Sequence, residues 1–367
     1  MKPIIVLGGG LAGASVAARL ARAGHAVTVL ERETGPHEKV CGEFLSVEAC
    51  SDLETMGLDA HRLGGVPIDR VRVHHRARSI EAKLPFLARG LSRAVLDEAL
   101  LQLASRSGAD VQRGVRVSGV DGRKVLTSEG AYEAEHIMLA TGKHDLRGHA
   151  RSTPATKDGY IGLKMHWRLS RSALEALGPA IELILFDHGY AGLQRVGARD
   201  ANLCLVIRRD RFANIEGGWD GLVASLMGEP GLRQRLNDAE PLFAKPLAIA
   251  NLPYGYIHQP QSDEPAHLWR LGDQAAMTAS LTGDGMAVAL RSARLAADCF
   301  QRGASSAAFQ ALLARHAGTQ VRRAMRLQRL SERPLALRLG LLAAELCPWL
   351  LAKSAGFTRL PSYPHVV

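Results

Sequence analysis

The first thirty-one residues constrain this chain more than any other stretch. Ile4, Ile5, Val6 and Leu7 form an uninterrupted apolar run, the pattern of a parallel strand buried on both faces. Gly8, Gly10 and Gly13 follow at G-x-G-x-x-G spacing. Residues 14–23 read as a helix with Val16, Leu20 and Ala23 on one apolar face, and Gly24 ends it. Residues 26–30 are a second apolar run that closes on Glu31. Strand, glycines, helix, strand and acid in this order predict a βαβ unit built to hold a dinucleotide. Gly8 permits the tight turn out of the strand, Gly10 lets the backbone approach a pyrophosphate, and Gly13 lets the helix pack closely. The phosphates are expected against the free N–H groups of Gly10, Leu11, Ala12 and Gly13, at the positive end of the helix dipole. Glu31 is placed to accept hydrogen bonds from the ribose hydroxyls, with Arg32 beside it.

The chain has 367 residues, enough for two lobes. Its five cysteines, Cys41, Cys50, Cys204, Cys299 and Cys347, are scattered and form no C-x-x-C pair. That argues against a disulfide framework or a zinc site, and no metal is expected. A reduced, cytoplasmic setting is the simplest expectation. A cleaved signal peptide would remove the phosphate loop, and no apolar run reaches the length of a membrane span. The net charge of +10 is mostly arginine. Aromatic residues make up only 5% and do not interleave with the basic segments, so nucleic acid is not expected. An acidic carrier, a CoA-linked substrate or an anionic membrane face are the partners that such a charge suits.

Past Glu31, Ser46 reads as the cap of a helix over 49–56, and Ser92 as the cap of one that begins near Arg93. Residues 71–73 and 79–84 can pair as short strands, 124–128 and 131–134 as a hairpin, and 136–142 as a buried strand with a small-residue turn at Thr141 and Gly142. Strands dominate from 161 to 209, followed by an interrupted helical stretch over 219–237 and a helix over 285–301. The last sixty or so residues read as an arginine-rich amphipathic helix pair packed on the body, whose exposed face would suit a peripheral membrane contact.

Three further segments choose between NAD and FAD. Arg93 stands at a helix start, where it can reach a pyrophosphate. Asp273, in Leu271-Gly272-Asp273, is delivered by a strand into a turn and can accept from a ribityl hydroxyl. In Thr282-Gly283-Asp284-Gly285-Met286, two glycines bare the amides of a helix N-terminus, which suits the partial negative charge of a reduced flavin. The last two lie some 260 residues beyond the glycine loop, and a domain that binds NAD alone has no use for them.

With Val40-Cys41-Gly42-Glu43, these segments make the chain resemble the flavoprotein superfamily of p-hydroxybenzoate-hydroxylase type, and within it the geranylgeranyl reductase-like branch. The resemblance runs over about residues 4 to 300. It implies an α/β fold, in which a Rossmann-like FAD-binding domain is interleaved with a strand-rich, antiparallel substrate lobe, plus a C-terminal helical segment. The expected division is 1–70, 88–155 and 266–303 for the FAD domain, 71–87 and 156–265 for the lobe, and 304–367 for the helices. It also implies cofactor contacts at Val117, Thr141 and Gly142, an isoalloxazine at the interface with Cys41 close by, and NADPH or NADH as electron donor. Two segments depart from the family pattern. Ser280-Leu281 stands where the family has proline, and Ala140 to Gly148 replaces the Asp-Gly motif that serves FAD and NADPH in hydroxylases. No Trp-x-Trp-x-Ile-Pro motif is present, so halogenation is not expected.

The activity expected is therefore that of an FAD-dependent oxidoreductase. One reading is a reductase or dehydrogenase acting on a carbon–carbon bond of a hydrophobic, isoprenoid or polyketide-type substrate. A second is a monooxygenase acting on an aromatic or polyketide substrate. A third, of another class, is a flavin-binding electron-transfer or carrier-docking protein that uses its basic C-terminus. Cys41 and His166 are the candidate catalytic residues, with His144 a further acid/base candidate. Lys164 and His166, two apart on one strand, share a face.

Overall fold

The computed structural model describes residues 3–151, 159–261 and 264–363. Elements are numbered in chain order. The first sheet is parallel throughout and holds β1 (Ile4–Leu7), β2 (Val27–Glu31), β6 (Asp110–Arg113), β10 (His136–Leu139) and β17 (Leu268–Arg270), in the order β17-β10-β1-β2-β6. The strand order reverses at β1, and in open parallel sheets ligands bind at the carboxyl ends of strands at such a point.

The apolar run of β1 is buried residue by residue because both faces are covered. Ile4 and Val6 belong to a core with Val16 and Leu20 of α1 (Leu11–Arg22) and with α2 (Val47–Glu54), α3 (Arg93–Arg106), α8 (Gly285–Gln301) and α9 (Ser306–Ser331). Ile5 and Leu7 face the other way, into a core with Leu30, Ile137, Leu139 and Val125. That side is closed by a three-stranded antiparallel sheet of β7 (Val117–Asp121), β8 (Lys124–Thr127) and β9 (Gly130–Glu133). Ser46 and Ser92 cap α2 and α3 through their hydroxyls, which accept from Ala49 N and Ala94 N.

The second lobe is a nine-stranded sheet. Its path runs β15 (Glu240–Pro241), β11 (Tyr160–Arg168), β14 (Asp200–Arg208), β13 (Gly189–Arg195), β12 (Ala180–Phe186), β4 (Val66–His75), β5 (Arg78–Gly90) and β3 (Phe44–Leu45), with β16 (Leu247–Ala250) also pairing β11. All pairs are antiparallel except β12 with β4. The strands at 66–75 and 78–90 run wider than the 71–87 expected, and Phe44–Leu45 also joins this sheet. The expected boundary near 155 lies outside the described residues.

One face of this sheet, with Leu163, Leu193, Leu203 and Leu205, packs under α4 (Arg171–Leu177), α6 (Gly218–Leu226) and α7 (Pro230–Leu236), with α5 (Arg209–Ala213) beside them. At its far end the opposite face, with Ile68, Val71, Leu84 and Tyr190, takes up Leu341 and Ala344 of α10 (Pro334–Leu346) and Leu351 and Ala355 of α11 (Trp349–Phe357). The C-terminal segment is thus three helices rather than the pair expected. Pro334 opens α10 and Pro348 precedes α11, positions at which a missing N–H costs a helix nothing.

Candidate active site

The glycine loop sits at the switch point with little space to spare. Gly8 has φ +100, and a Cβ there would lie 2.7 Å from the carbonyl oxygen of Ala140. A Cβ on Gly13 would lie 1.9 Å from the carbonyl oxygen of Gly8, so only glycine lets α1 approach β1 this closely. Gly10 is different. A Cβ there would meet Lys39 Nζ at 3.3 Å and an Arg93 guanidinium nitrogen at 3.7 Å, and no backbone atom closer. Two cations therefore converge over the amides at the start of α1, of which Leu11, Ala12 and Gly13 are buried.

Arg93 is held there by a bidentate ion pair with Asp97 (2.8 Å for both contacts), which also accepts from Lys39 Nζ at 2.9 Å. Burial would lower the Arg93 guanidinium, but Asp97 outweighs it and holds it above its ordinary value. Glu31 is buried at the tip of β2. One oxygen accepts from Gly9 N at 2.7 Å and the other from Glu33 N at 3.0 Å, so it shapes the loop as well as standing at the ribose end. Arg32 points outward to Glu33.

Thr141 and Gly142 follow β10, and Thr141 lies against Gly8. Thr141 Oγ1 donates to His144 O, and Gly142 O accepts from Gln274. Burial, with Arg32, Lys143 and Lys39 nearby, pushes His144 below its ordinary value. Val117 begins β7 on the sheet behind the tip of β2, where Val115 N donates to Glu31 O. Gly272 (φ +56) brings Asp273 up to α1, since a Cβ on Gly272 would lie 3.2 Å from Ala12 Cβ. The carboxylate of Asp273 makes no hydrogen bond or ion pair among the described residues, which leaves it free to accept from a ligand.

Gly283 (φ +72) packs against Phe44, and a Cβ there would lie 2.7 Å from that ring. Gly285 opens α8 with open space where a Cβ would stand, while Met286 is buried in the core. Asp284 is fully buried and faces the other way. It accepts from Gln320 at 2.8 Å and Arg359 at 3.0 Å, and burial pushes it up to about 7. Its side chain ties the turn to α9, and only its backbone faces the loop where a ligand would lie.

The segment 38–43 links the two lobes. Glu43 is fully buried and adopts φ +58, a conformation rare for a side-chain-bearing residue outside functional sites. Lys164 of β11, also fully buried, donates to Glu43 Oε1 at 2.6 Å and to Glu38 Oε2 at 2.7 Å. His166 Nε2 lies 2.7 Å from Glu43 Oε2; since a carboxylate can only accept, that nitrogen carries a proton. Arg93 N donates to Glu43 Oε1 at 2.7 Å, and Ser92 Oγ to Glu38 at 2.5 Å. From β13 and β14, Gln194 donates to Glu43 O and Asn202 to Cys41 O.

Burial would raise the Glu38 carboxyl, but the Lys164 ammonium and the hydrogen bonds to it lower it to about 2. Burial would likewise lower Lys164, and the two carboxylates raise it instead. Ligand atoms of Glu38, Glu43 and His166 come within 4.8 Å of one another, but the cationic position between the two carboxylates is taken by Lys164 Nζ.

Cys41 starts this turn, half-buried, and interacts with the Arg93 guanidinium. The sheet face opposite carries Lys164, His166, Asn202, Cys204, Gly192 and Tyr190 in register. Tyr190 and Tyr254 both hydrogen-bond to Ser280 Oγ, beside the Thr282–Gly283 turn. Burial pushes the Cys204 thiol up to about 12. The sequence named Cys41, His166 and Arg93. It did not single out Lys39, Glu38, Asn202, Gln194 or Tyr254, whose roles depend on contacts across the fold.

These residues fit FAD. The cradle at Gly10, the two cations above it, the unpaired carboxylate of Asp273 and the open start of α8 at Gly285 are the kinds of group such a cofactor needs from its ADP end to its flavin end. Lys39, Arg93 and the α1 amides would hold the pyrophosphate, and Asp273 the ribityl chain.

Residues 3–40 match the family described as FAD dependent oxidoreductase (DAO). A menaquinone reductase of Mycolicibacterium smegmatis is 23% identical over 350 residues, 85% of this chain and 80% of its own. A flavin-dependent halogenase of Armillaria mellea is 31% identical over 125 residues, 32% of this chain and 24% of its own. Among solved structures, a flavin-dependent brominase superposes with a TM-score of 0.81 at 17% identity, covering 99% of this chain and 96% of its own. A flavoprotein/dehydrogenase of Cytophaga hutchinsonii gives 0.70 at 19%, covering 83% and 79%. The fold is that of FAD-binding flavoproteins, with the Rossmann-like core and antiparallel sheet expected. The likenesses carry the fold and, over residues 3–40, a match to FAD-dependent oxidoreductases; the geranylgeranyl reductase-like branch is a finer reading than they carry.

Proposed function

We propose that this FAD-dependent oxidoreductase is a reductase acting on a carbon–carbon bond of a hydrophobic, isoprenoid or polyketide-type substrate. The observation that carries the reading is the position of Cys41. Its half-buried thiol begins a turn that the Lys164–Glu43–His166 cluster fixes, on the wall between the glycine loop and the sheet face of Gly192, Cys204 and Tyr190. The cofactor, when bound and reduced, supplies a hydride. Reduction of a carbon–carbon double bond also needs a proton at the neighbouring carbon. Cys41 supplies it and recovers one from solvent, while Arg93 stands against the thiol.

Glu43 and His166 act as positioning residues. Glu43 holds the turn, and His166 holds Glu43. The apolar and phenolic sheet face suits a hydrophobic substrate. The likeness to a protein named menaquinone reductase, over most of both chains, supports a lipophilic one. NADPH or NADH is the proposed electron donor.

Cys41→Ala tests the reading. Turnover should fall at least about tenfold while FAD content stays near that of the parent. Unchanged turnover would reduce Cys41 to packing. A second reading, oxygen-dependent chemistry on an aromatic or polyketide substrate, draws on the full-length superposition with a flavin-dependent brominase.

A further inference from the structure

We propose that the C-terminal helices dock this chain on a membrane surface that contains anionic lipid, with the outer face of α10 and the corner into α11 inserted among the headgroups. The feature that requires explanation is a helix apolar on both sides. The inner face of α10 is spent on the sheet lobe through Leu341 and Ala344. Its outer face is a second apolar row: Leu335 (71% exposed), Leu339 (59%), Leu342 (44%) and Leu346 (84%). The spacing of four, three and four puts all of them on one stripe. The chain then bends by 120° into α11, and Trp349 (56%) continues the row past the corner.

Isolated exposed leucines are ordinary, but a continuous row with an aromatic at its tip is not. Neither helix is long enough to span a bilayer, and the bend prevents them from doing so together as one rod. The geometry is that of a segment lying in the interface plane.

Charge decides what covers the row. Arg333 and Arg338 at the start and on the side of α10 and Lys353 on α11 are exposed, as are Arg322, Arg326 and Arg329 on the preceding α9. The acids of the same stretch are engaged: Glu345 pairs with Arg78, and Glu332 accepts from Tyr160. Lys353 lies 5.4 Å from the centre of the Trp349 ring, so a cation sits beside the aromatic at the corner. Aromatic and basic side chains together at the rim of an apolar stripe match the headgroup layer, where stems bury and charges stay wet. Two copies of this chain meeting across the row would bring these cations against one another, with no unengaged carboxylate among the described residues of the three helices. An anionic lipid surface neutralises them.

The experiment is sedimentation of the full-length, FAD-loaded protein with vesicles of phosphatidylcholine alone or with phosphatidylglycerol. The protein should bind the mixed vesicles, bind the neutral ones several-fold less, and be released as salt rises. Leu342→Glu with Leu346→Glu should lower the bound fraction at least about tenfold, because the stripe would no longer insert. Arg329→Gln with Arg333→Gln and Arg338→Gln should remove the preference for anionic vesicles while leaving the apolar row in place. Every substituted side chain is exposed, so FAD content and thermal unfolding should match the parent and show that the variants fold. Absence of vesicle binding by the parent, or equal binding to both compositions, would overturn the proposal. So would a concentration-dependent dimer that Leu346→Glu dissociates, since that would make a second copy the occupant of the row.

Discussion

Lys164 Nζ lies 2.6 Å from Glu43 Oε1, and both side chains are fully buried. A buried ion pair of this kind adds little over a well-packed apolar pair, but losing one partner leaves an uncompensated charge. Glu43→Gln or Lys164→Met alone should therefore destabilise the fold by about 3–5 kcal/mol. The double variant should cost clearly less than the two singles summed, as read by denaturant unfolding. Strict additivity would show that the pair does not act as a unit.

The glycines of the loop divide by what surrounds them. Gly10→Val places its side chain against the ends of Lys39, Arg93 and Asp97, with no backbone atom closer, and those ends can move. The protein should fold with near-parent stability and lose FAD. Gly13→Ala places a methyl 1.9 Å from a backbone carbonyl, so it should lower stability itself. A yellow Gly10→Val protein would mean that the pyrophosphate lies elsewhere.

Asp273 offers the converse case. Its carboxylate makes no bond within the described residues, so Asp273→Ala should leave apoprotein unfolding within about 0.5 kcal/mol of the parent. It should weaken FAD binding by about one order of magnitude, the size of a lost hydrogen bond to a charged acceptor. Titration of apoprotein with FAD, followed by flavin fluorescence, reads the second effect. Equal affinity would remove Asp273 from the ribityl contact.

The Glu38 carboxyl fixes a pH window. Its folded value is lowered to about 2 from an ordinary 4.5. The unfolded chain therefore binds the proton first, and the stability that Glu38 contributes is fully present above pH 4.5. It is lost as pH falls from 4.5 toward 2. Glu38→Gln should unfold with a shallower pH dependence in that window, measured by denaturant midpoints across it. An unchanged slope would mean that Lys164 does not hold Glu38 ionised.

The parts legible in the sequence are those set by neighbours in the chain. The glycine loop, the Ser46 and Ser92 caps and the strands of the lobe follow from spacing and turn chemistry over a few residues. The ionic cluster does not, because Glu43 and Lys164 are 121 residues apart. One local signal pointed to it. In β11, Lys164 and His166 alternate with Leu163, Met165 and Trp167, a pattern that ordinarily marks a wet face. Here both faces are buried, since the segment 38–43 lies across the polar one. Asp284 could not be assigned from its motif because its direction is set by Arg359 and Gln320, far along the chain. The third C-terminal helix was signalled by Pro334 and Pro348, which start helices as readily as they end them.

The central claim is reduction rather than oxygenation, and one single-turnover measurement addresses it most directly. FAD-loaded protein is reduced without oxygen by NADPH, NADH or dithionite and mixed with a polyprenylated quinone. The product is then weighed by mass spectrometry after reaction in deuterated water. The account predicts a product that has gained a pair of hydrogens on a carbon–carbon bond, labelled from the deuterated water, without oxygen. A product that appears only when oxygen is admitted, and that carries an added oxygen atom, would contradict it.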